Sequence, residues 1–273
     1  MKKNKSLLLS GPYILFMVIF TLIPLGVVGY YALTDPSTRV FTLKNLQNLS
    51  LYLPTLGISV GYSIISALIC LVLGYPVAYF IAHRKPLTQK ILYMLTMLPM
   101  CMSFLLRTLA WVGILETNGI INSLLTQLGL PALKLIGTPG AVILGMVYNY
   151  LPYMILPLYA IIVKIDNRLI EAAEDLGCNG KQVFLRVVLP LSTPGILSGL
   201  TMVFVPAVST FYISQKLGGS ETMLIGDVIE RHFKSGNNPN LGAALSLVLM
   251  LLVLVCTGIM NRFGGDEEGG VVV

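Results

Sequence analysis

Long apolar stretches alternate with shorter polar connections along the chain, and each stretch is long enough to cross a membrane as a helix. A helix needs about 20 mostly apolar residues to span the hydrocarbon core, where no water satisfies an exposed backbone group. The pattern therefore predicts six transmembrane helices. They are residues 9–32, 56–82, 91–115, 141–163, 191–214 and 241–260.

Two of the polar connections carry shorter amphipathic patterns. Residues 119–129 and 222–233 space their apolar side chains three and four apart, which predicts a short helix on the outer surface in each. The apolar positions are Ile120, Ile121, Leu124, Leu125 and Leu128 in the first segment, and Leu224, Ile225, Val228, Ile229 and Phe233 in the second. The pattern leaves open whether these helices cap the bundle or contact a partner.

Composition agrees with this pattern. Of the 273 residues, 55% are hydrophobic and 11% are charged, whereas roughly a quarter of the residues in a soluble protein are charged. We therefore expect an all-α membrane protein with a single transmembrane domain over residues 1–273. The polar, glycine-rich segment at 264–273 is predicted to be a disordered tail.

The distribution of basic residues predicts the orientation of the chain, because Lys and Arg accumulate in cytoplasmic loops. With the N-terminus inside, the cytoplasmic set is Lys2, Lys3, Lys5, Arg84, Lys85, Lys90, Lys164, Arg168, Lys181, Arg186 and Arg262. The outer set is smaller and consists of Arg39, Lys44, Lys134, Lys216, Arg231 and Lys234. Both termini are therefore predicted to be cytoplasmic. Attraction to anionic lipid accounts for the net charge of +6, so nucleic acid is not an expected partner.

The connection between the fourth and fifth spans, residues 164–190, is longer than a simple turn requires. Asn167 is a predicted N-cap for a helix over residues 168–176. Gly177 fits the left-handed position that ends a helix. Residues 180–188 are then predicted to form a second helix before Pro190. The connection is therefore expected to be a compact helix-turn-helix on the cytoplasmic face.

The first of these helices has the features of a docking surface. Ala172 and Ala173 have small side chains, which let a helix lie close against another surface. Glu171, Glu174 and Asp175 stay available for ionic contacts around it. The alternative interpretation is a solvated amphipathic loop that has no partner.

The residues of this loop resemble a known motif. Glu171, Ala172 and Ala173 are followed after three residues by Gly177, and after nine more by Val-x-Leu-Pro ending at Pro190. This spacing resembles the EAA loop of permease subunits of binding-protein-dependent ABC importers, with Val187 where isoleucine is usual. The resemblance implies a coupling helix seated in a separate ATPase subunit. Its coupling residues are then Glu171, Ala172, Ala173, Asp175, Gly177 and Pro190.

The energy source is expected on another chain. The sequence contains no G-x-x-x-x-G-K-[ST] phosphate-binding loop, which an ATPase of this kind needs. We therefore expect that the chain is not an enzyme and binds no cofactor, and that ATP and Mg²⁺ bind to the partner ATPase.

Several further segments resemble the PotB-type permeases of spermidine/putrescine importers. They are "CLVLGYPVAYFIA", "PSTRVFTLKNL", "GMVYNYLPYMILPLY", "VFVPAVSTFYISQKLGG" and "LIGDVIE". The resemblance implies a MetI-like bundle of six spans in the inner, cytoplasmic membrane of a prokaryote, surrounded by membrane lipid. It also implies a second homologous permease, two ATPase subunits and an extracytoplasmic polyamine-binding protein.

A polyamine path calls for carboxylates, free carbonyls and aromatic faces, because cations are attracted to aromatic rings. Pro152, Pro157 and Pro206 each remove a helix hydrogen bond within a span. Arg107 would repel a cation in the path, so we expect it to snorkel or to pair outside the path. The second permease could supply the carboxylates. The predicted path residues of this chain are Tyr148, Asn149, Ser209, Phe211 and Tyr212.

Three alternatives stay open, the first within the importer class and the other two outside it. An importer for another solute, such as putrescine alone, an inorganic ion or an organophosphate, fits the same spans. A secondary transporter normally needs ionisable groups inside the membrane, yet His83 and His232 both lie in predicted loops. A membrane-embedded enzyme would need a nucleophile, paired carboxylates or a metal-binding set, and the sequence carries none of these patterns.

Overall fold

The computed structural model describes residues 12–35, 40–219, 222–234 and 238–264, which fold almost entirely into helices. Apart from an isolated bridge between Thr34 and Phe41, these residues form no β-structure. The predicted all-α class is confirmed. The helices are α1 (Pro12–Ala32), α2 (Leu53–Ala82), α3 (Pro86–Met97), α4 (Phe104–Leu115), α5 (Ile120–Gln127), α6 (Pro139–Ile162), α7 (Asn167–Asp175), α8 (Gly180–Leu191), α9 (Thr193–Val208), α10 (Ile225–Lys234) and α11 (Pro239–Gly264).

Within the described ranges, five helical segments are long and apolar enough to cross a membrane. A sixth span results if α8 and α9, which meet at an angle of 63°, count as one. The multispanning character predicted from the apolar pattern is therefore confirmed. The five segments are Pro12–Ala32, Asn48–Ala82, Phe104–Gln127, Pro139–Ile162 and Pro239–Met260.

The third predicted span is not one continuous helix. A 3-10 turn at Leu98–Cys101 and extended backbone at Met102 separate α3 from α4. Each helix has 12 residues and is about 18 Å long at 1.5 Å per residue, which is too short for a core of about 30 Å. By length and hydropathy alone, α4 and α5 together count as the candidate span Phe104–Gln127. The extended ψ of 156° at Glu116 nevertheless ends α4 before α5 begins.

The fifth predicted span, residues 191–214, is also interrupted. The chain bends at Ser192, between α8 and α9, and α9 ends at Val208. Pro194 lies in the first turn of α9, where its missing N–H costs no helix hydrogen bond. A π-helical turn at Ser214–Gly218 follows after a short break.

The larger of two compact units comprises residues 55–227 and 253–273, and its core surrounds α6. In the most apolar stretch of this helix 61% of the residues are buried. Helix α9 lies close to α6 because Gly199 has no side chain. A Cβ atom at Gly199 would be 2.6 Å from Met154 Sδ and 3.3 Å from the Met154 carbonyl oxygen.

The second unit comprises residues 1–54 and 228–252. Its small apolar cluster contains Ala32, Ala243 and Ala244. Asn240 Nδ2 donates a hydrogen bond to the Thr34 carbonyl oxygen at 2.6 Å. In contrast, none of the apolar stretch of α1 is buried within the chain. This surface is suited to contact with lipid or another membrane helix.

Some predictions lie outside the described residues. These include Lys2, Lys3, Lys5 and Arg39 of the orientation argument, and positions 265–273 of the predicted tail. The single transmembrane domain stays a prediction.

The two short amphipathic helices are present. Residues 119–129 contain α5, in which Ile120 and Leu124 are exposed whereas Ile121 and Leu125 are partly buried. Asn122 fixes the segment that follows, because its side chain accepts a hydrogen bond from Leu133 N–H and donates one to the Leu133 carbonyl oxygen. The second helix is α10.

Candidate functional site

The helix that carries the EAA sequence, α7, begins with a side-chain cap. The Asp166 carboxylate accepts a hydrogen bond from the Arg168 backbone N–H at 3.0 Å, which satisfies one of the free donors of the first turn. Asn167 is the first helical residue. The predicted N-cap at Asn167 was therefore wrong by one residue, because aspartate and asparagine cap equally well and the backbone entered the helix one position earlier.

The end of α7 has the predicted geometry. Gly177 has a φ of +85°, in the left-handed region that favours glycine. Its N–H donates to the Glu174 carbonyl oxygen at 2.8 Å, and the Cys178 N–H donates to the Ala173 carbonyl oxygen at 3.0 Å. This pair of bonds is the Schellman motif, and it fixes the turn between the two short helices.

The second helix, α8, begins with a capping box that was not predicted. The Asn179 side chain accepts a hydrogen bond from Gln182 N–H, and the Gln182 side chain accepts one from Asn179 N–H, both at 2.9 Å. The Asn-x-x-Gln spacing in the sequence was the available signal. The helix becomes π-helical at Phe184–Val188, before Pro190.

The predicted coupling residues form a largely exposed surface. Ala173 is partly buried, and the other five, Glu171, Ala172, Asp175, Gly177 and Pro190, are exposed. Within the described part of the chain, Glu171, Glu174 and Asp175 form no salt bridge. The surface therefore presents carboxylates and small side chains together.

Leu176 adds an apolar side chain to this surface. It is 87% exposed, more than any other large hydrophobic side chain in the described ranges. Its position after two acids and before a glycine in a polar loop is the sequence signal for it, although the predicted coupling residues do not include it. An exposed leucine between charged groups is suited to burial against another protein.

The other side of the loop is anchored to the membrane helices. The Phe184 ring lies edge-on to the rings of Tyr75 and Tyr79 of α2, with centroid distances of 5.5 Å and 6.0 Å. The Tyr75 hydroxyl is 2.8 Å from Ser192 Oγ at the bend between α8 and α9. A force applied to α7 and α8 would therefore reach both α2 and α9.

The predicted path residues lie in two places. The Tyr148 ring of α6 is 5.4 Å from the Trp111 ring of α4, and Tyr148 is exposed. The Tyr212 ring lies 6.2 Å from the Phe104 ring of the same helix α4. Phe211 is exposed next to Tyr212. Helix α4 therefore contacts both groups of predicted aromatic residues.

The two polar path residues differ in exposure. Ser209 is exposed at the end of α9, and its hydroxyl donates to the Val205 carbonyl oxygen at 3.2 Å. Asn149 is buried, and its Nδ2 donates to the Gly145 carbonyl oxygen at 2.9 Å. In the described part of the chain Asn149 Oδ1 has no hydrogen-bond partner. Asn149 would need a rearrangement before it could contact a solute.

Arg107 is a buried cation in the same part of the bundle. It is 7% exposed, and its Nε and Nη1 atoms have no hydrogen-bond partner among the described residues. Nη2 is not among these buried, unpaired atoms, so the expectation that Arg107 snorkels or pairs outside the path stays a prediction.

A family model described as "Binding-protein-dependent transport system inner membrane component" matches residues 71–264. The chain belongs to this family. The matched region includes α6, α9 and the connection at residues 164–190, which we name the coupling loop after its predicted role. The resemblance carried by its EAA sequence is therefore confirmed. The chain is therefore a permease component of the inner membrane and not a catalytic enzyme.

Several relatives match almost the full length of this permease. It is 38% identical over 256 residues to the spermidine/putrescine transport system permease protein PotB of Haemophilus influenzae, which covers 90% of both chains. PotB of Escherichia coli K12 is 38% identical over 247 residues, 87% of this chain and 90% of PotB. The inner membrane ABC transporter permease protein YdcU of E. coli is 31% identical over 286 residues, 96% of this chain and 90% of YdcU.

Solved structures share the fold of the permease. A chain of a bacterial ABC transporter that imports the acidic polysaccharide alginate matches with a TM-score of 0.81 at 18% identity, covering 98% of this chain and 100% of that one. A chain of the MetNI methionine ABC transporter in an inward-facing conformation matches with a TM-score of 0.61 at 16% identity, covering 80% and 96%. The predicted MetI-like permease fold is confirmed.

Proposed function

We propose that this chain is the permease subunit of an ABC importer that moves polyamines such as spermidine and putrescine into the cytoplasm. The observation that carries the proposal is the exposed, capped coupling loop in a chain that is 38% identical to two PotB proteins over about nine-tenths of its length. The relatives are named for spermidine and putrescine, and the loop provides the means of coupling transport to an ATPase.

The assembly contains other chains. A second, homologous permease completes the translocation path, and two ATPase subunits bind ATP and Mg²⁺. The surface of α7 around Leu176 and Glu171 seats in one ATPase. An extracytoplasmic polyamine-binding protein delivers the solute. With the N-terminus inside, the coupling loop and both termini are cytoplasmic, which agrees with the excess of Lys and Arg on that side.

The path through this chain uses aromatic faces and carbonyl oxygens. Exposed Tyr148 and Phe211 offer ring faces to an ammonium group, each worth about 0.5–2 kcal/mol. Ser209, two residues before Phe211, offers a hydroxyl. The described carboxylates of this chain lie outside the predicted spans, so the second permease supplies the carboxylates at membrane depth.

Transport follows alternating access. The loaded binding protein docks on the outer side, and ATP binding closes the ATPase pair. Movement of the seated coupling loop passes through Phe184 to α2 and through Ser192 to α9, which opens the path outward. ATP hydrolysis then returns the permease pair to its inward-facing state.

An importer for an anionic solute is the second candidate, and Arg107 is the observation that favours it. A buried guanidinium with unpaired donors attracts an anion and repels a cation. In the polyamine proposal this charge is compensated by another group of the assembly, outside the path.

Uptake into proteoliposomes tests the proposal. Vesicles containing this chain, the second permease, the ATPase and the binding protein would take up radiolabelled spermidine when loaded with ATP, but not with a non-hydrolysable analogue. Excess putrescine would compete, whereas phosphate and an organophosphate would not. An active ATPase without spermidine uptake would refute the polyamine substrate and keep the importer, and competition by phosphate would support the anionic alternative.

A further inference from the structure

A cavity of about 270 Å³ lies where the membrane helices meet the coupling loop. The end of α2, the turn before α3, the end of α6 and the start of α7 all contribute to its wall. The lining side chains that matter here are His83, Arg84, Gln89, Val163, Asn167 and Ile170. One wall therefore belongs to the coupling helix and the opposite wall to the ends of membrane helices.

Arg84 provides a fixed positive charge at this cavity. Its guanidinium carbon lies 3.9 Å from the centroid of the Phe80 ring, which restrains the side chain by a cation–π contact. Among the described residues no carboxylate lies within 4 Å of this guanidinium. No acid is among the lining residues, and the carboxylate of Asp166, next to Asn167 in sequence, accepts the Arg168 N–H. The cavity therefore favours an anion.

Other polar groups at the cavity are partly satisfied. His83 Nδ1 is 2.9 Å from the Tyr79 carbonyl oxygen, and Gln89 Nε2 donates to the Ala82 carbonyl oxygen at 2.6 Å. These contacts hold the turn before α3 against the end of α2. The His83 imidazole keeps its second ring nitrogen for another partner.

Exposed apolar side chains belong to the lining or lie next to it: Val163 lines the cavity, Phe80 contacts Arg84, and Leu87 lies two residues before Gln89. Phe80 on α2, Leu87 on α3 and Val163 after α6 are all exposed large hydrophobics. In the proposed orientation they lie at the level where the helices leave the cytoplasmic side of the membrane. A polar, cationic cavity beside exposed apolar residues matches the two parts of a phospholipid.

We propose that this cavity binds the phosphate of an anionic phospholipid of the cytoplasmic leaflet. Arg84 is the cation that pairs with the phosphate, and the acyl chains lie along Phe80, Leu87 and Val163. The volume is close to the lower limit of about 300 Å³ for ligand pockets, which suits a headgroup. Basic pockets between helices on the cytoplasmic side are known to take anionic lipid headgroups.

A bound headgroup would connect the coupling helix to the membrane helices. Asn167 and Ile170 of α7 contact it from one side and Arg84 from the other. The lipid then transmits motion of α7 to α2 in addition to the Phe184 contact. This consequence rests on the proposed function, and it predicts that coupling between ATP hydrolysis and uptake depends on anionic lipid.

Direct lipid binding is the first test. The purified complex in detergent would be titrated with phosphatidylglycerol and, separately, with phosphatidylcholine and inorganic phosphate, and the bound molecules counted by native mass spectrometry. We expect Arg84→Gln to bind phosphatidylglycerol about fivefold more weakly, the change expected for one basic residue at an anionic surface. Lys90→Gln removes the same charge from α3 outside the cavity and serves as the matched control.

Coupling is the second test. Uptake per ATP hydrolysed would be compared in vesicles of phosphatidylcholine alone and with phosphatidylglycerol added. We expect wild-type complex and Lys90→Gln to gain coupling with the anionic lipid, and Arg84→Gln to gain less.

Several outcomes overturn the proposal. Equal binding of phosphatidylglycerol by Arg84→Gln and wild type would remove the cavity as the site. Equal losses of phosphatidylglycerol binding in Arg84→Gln and Lys90→Gln would mean that the lipid is attracted by surface charge in general and not by the cavity. Restoration of coupling by inorganic phosphate in phosphatidylcholine vesicles would make the free ion, and not the lipid, the ligand. Failure of spermidine uptake in every lipid would refute the proposed function, while the binding measurement would still decide the lipid site.

Discussion

Helix α6 and the coupling loop differ in how far their side chains are buried within the chain. In the most apolar stretch of α6, 61% of the residues are buried within the chain, and α9 lies against it at Gly199. Helix α7 buries none of its residues and is followed by a leucine that is 87% exposed. The chain itself therefore stabilises α6, whereas the surface of α7 stays open for the contact with an ATPase subunit that we propose.

The largest expected effect comes from separating α6 and α9. Gly199→Leu would place a side chain where a Cβ atom alone is 2.6 Å from Met154 Sδ and 3.3 Å from a backbone oxygen. Overpacking a core costs about 1–3 kcal/mol, and a whole leucine side chain at this contact belongs at the upper end. We expect a severe loss of folded protein, measured as the yield and Tm of the purified complex.

Gly258→Leu is the control for this variant. Gly258 lies in a described membrane helix, α11, and a Cβ atom there has no neighbour within 4 Å. Its yield and Tm should stay near those of the wild type. If Gly199→Leu assembled as well as Gly258→Leu, the close α6 and α9 contact would not be the basis of stability.

The second effect separates coupling from folding. Gly177 has open space around it, so a larger side chain is opposed only by the φ of +85°. A β-branched residue is a conformational outlier there, at a cost of about 1–3 kcal/mol. Gly177→Val should therefore distort the turn after α7 and lower uptake per ATP at least several-fold, while the protein still inserts and assembles.

Two further variants isolate the backbone effect at this turn. Gly180→Val makes the same substitution three residues later, where there is open space and no positive φ, and should keep coupling. Gly177→Asn should restore much of it, because asparagine tolerates the left-handed region. Normal coupling in Gly177→Val, or no rescue by asparagine, would refute the role of this turn.

The sequence predicted the coupling loop more accurately than the membrane spans, for a physical reason. The turn at Gly177 depends on interactions between neighbours in sequence, so its glycine was a sufficient signal. The breaks at Met102 and Ser192 lie beside Pro99 and Pro194, but apolar composition continues across both and concealed them. The burial of Asn149 depends on contacts around α6 between residues distant in sequence.

The smallest expected effect concerns α10. This helix has both buried and exposed side chains, so it is intermediate between α6 and the coupling loop. His232 Nε2 is 3.1 Å from the Tyr52 hydroxyl, and burial, followed by the charge of Arg231, lowers the pKa of His232 below 6.5. Between the lowered pKa and 6.5 the unfolded chain binds more protons than the folded chain, so stability falls as the pH drops through this window. The Tm of the complex should therefore fall on acidification from about pH 7.5 to about pH 5.5, and less so in His232→Gln. Arg231→Gln should also reduce the slope, since it removes a charge that opposes protonation. An unchanged slope in both variants would mean that folding does not lower the pKa of His232. The side chains of α10 would then be as open to solvent as those of the coupling loop.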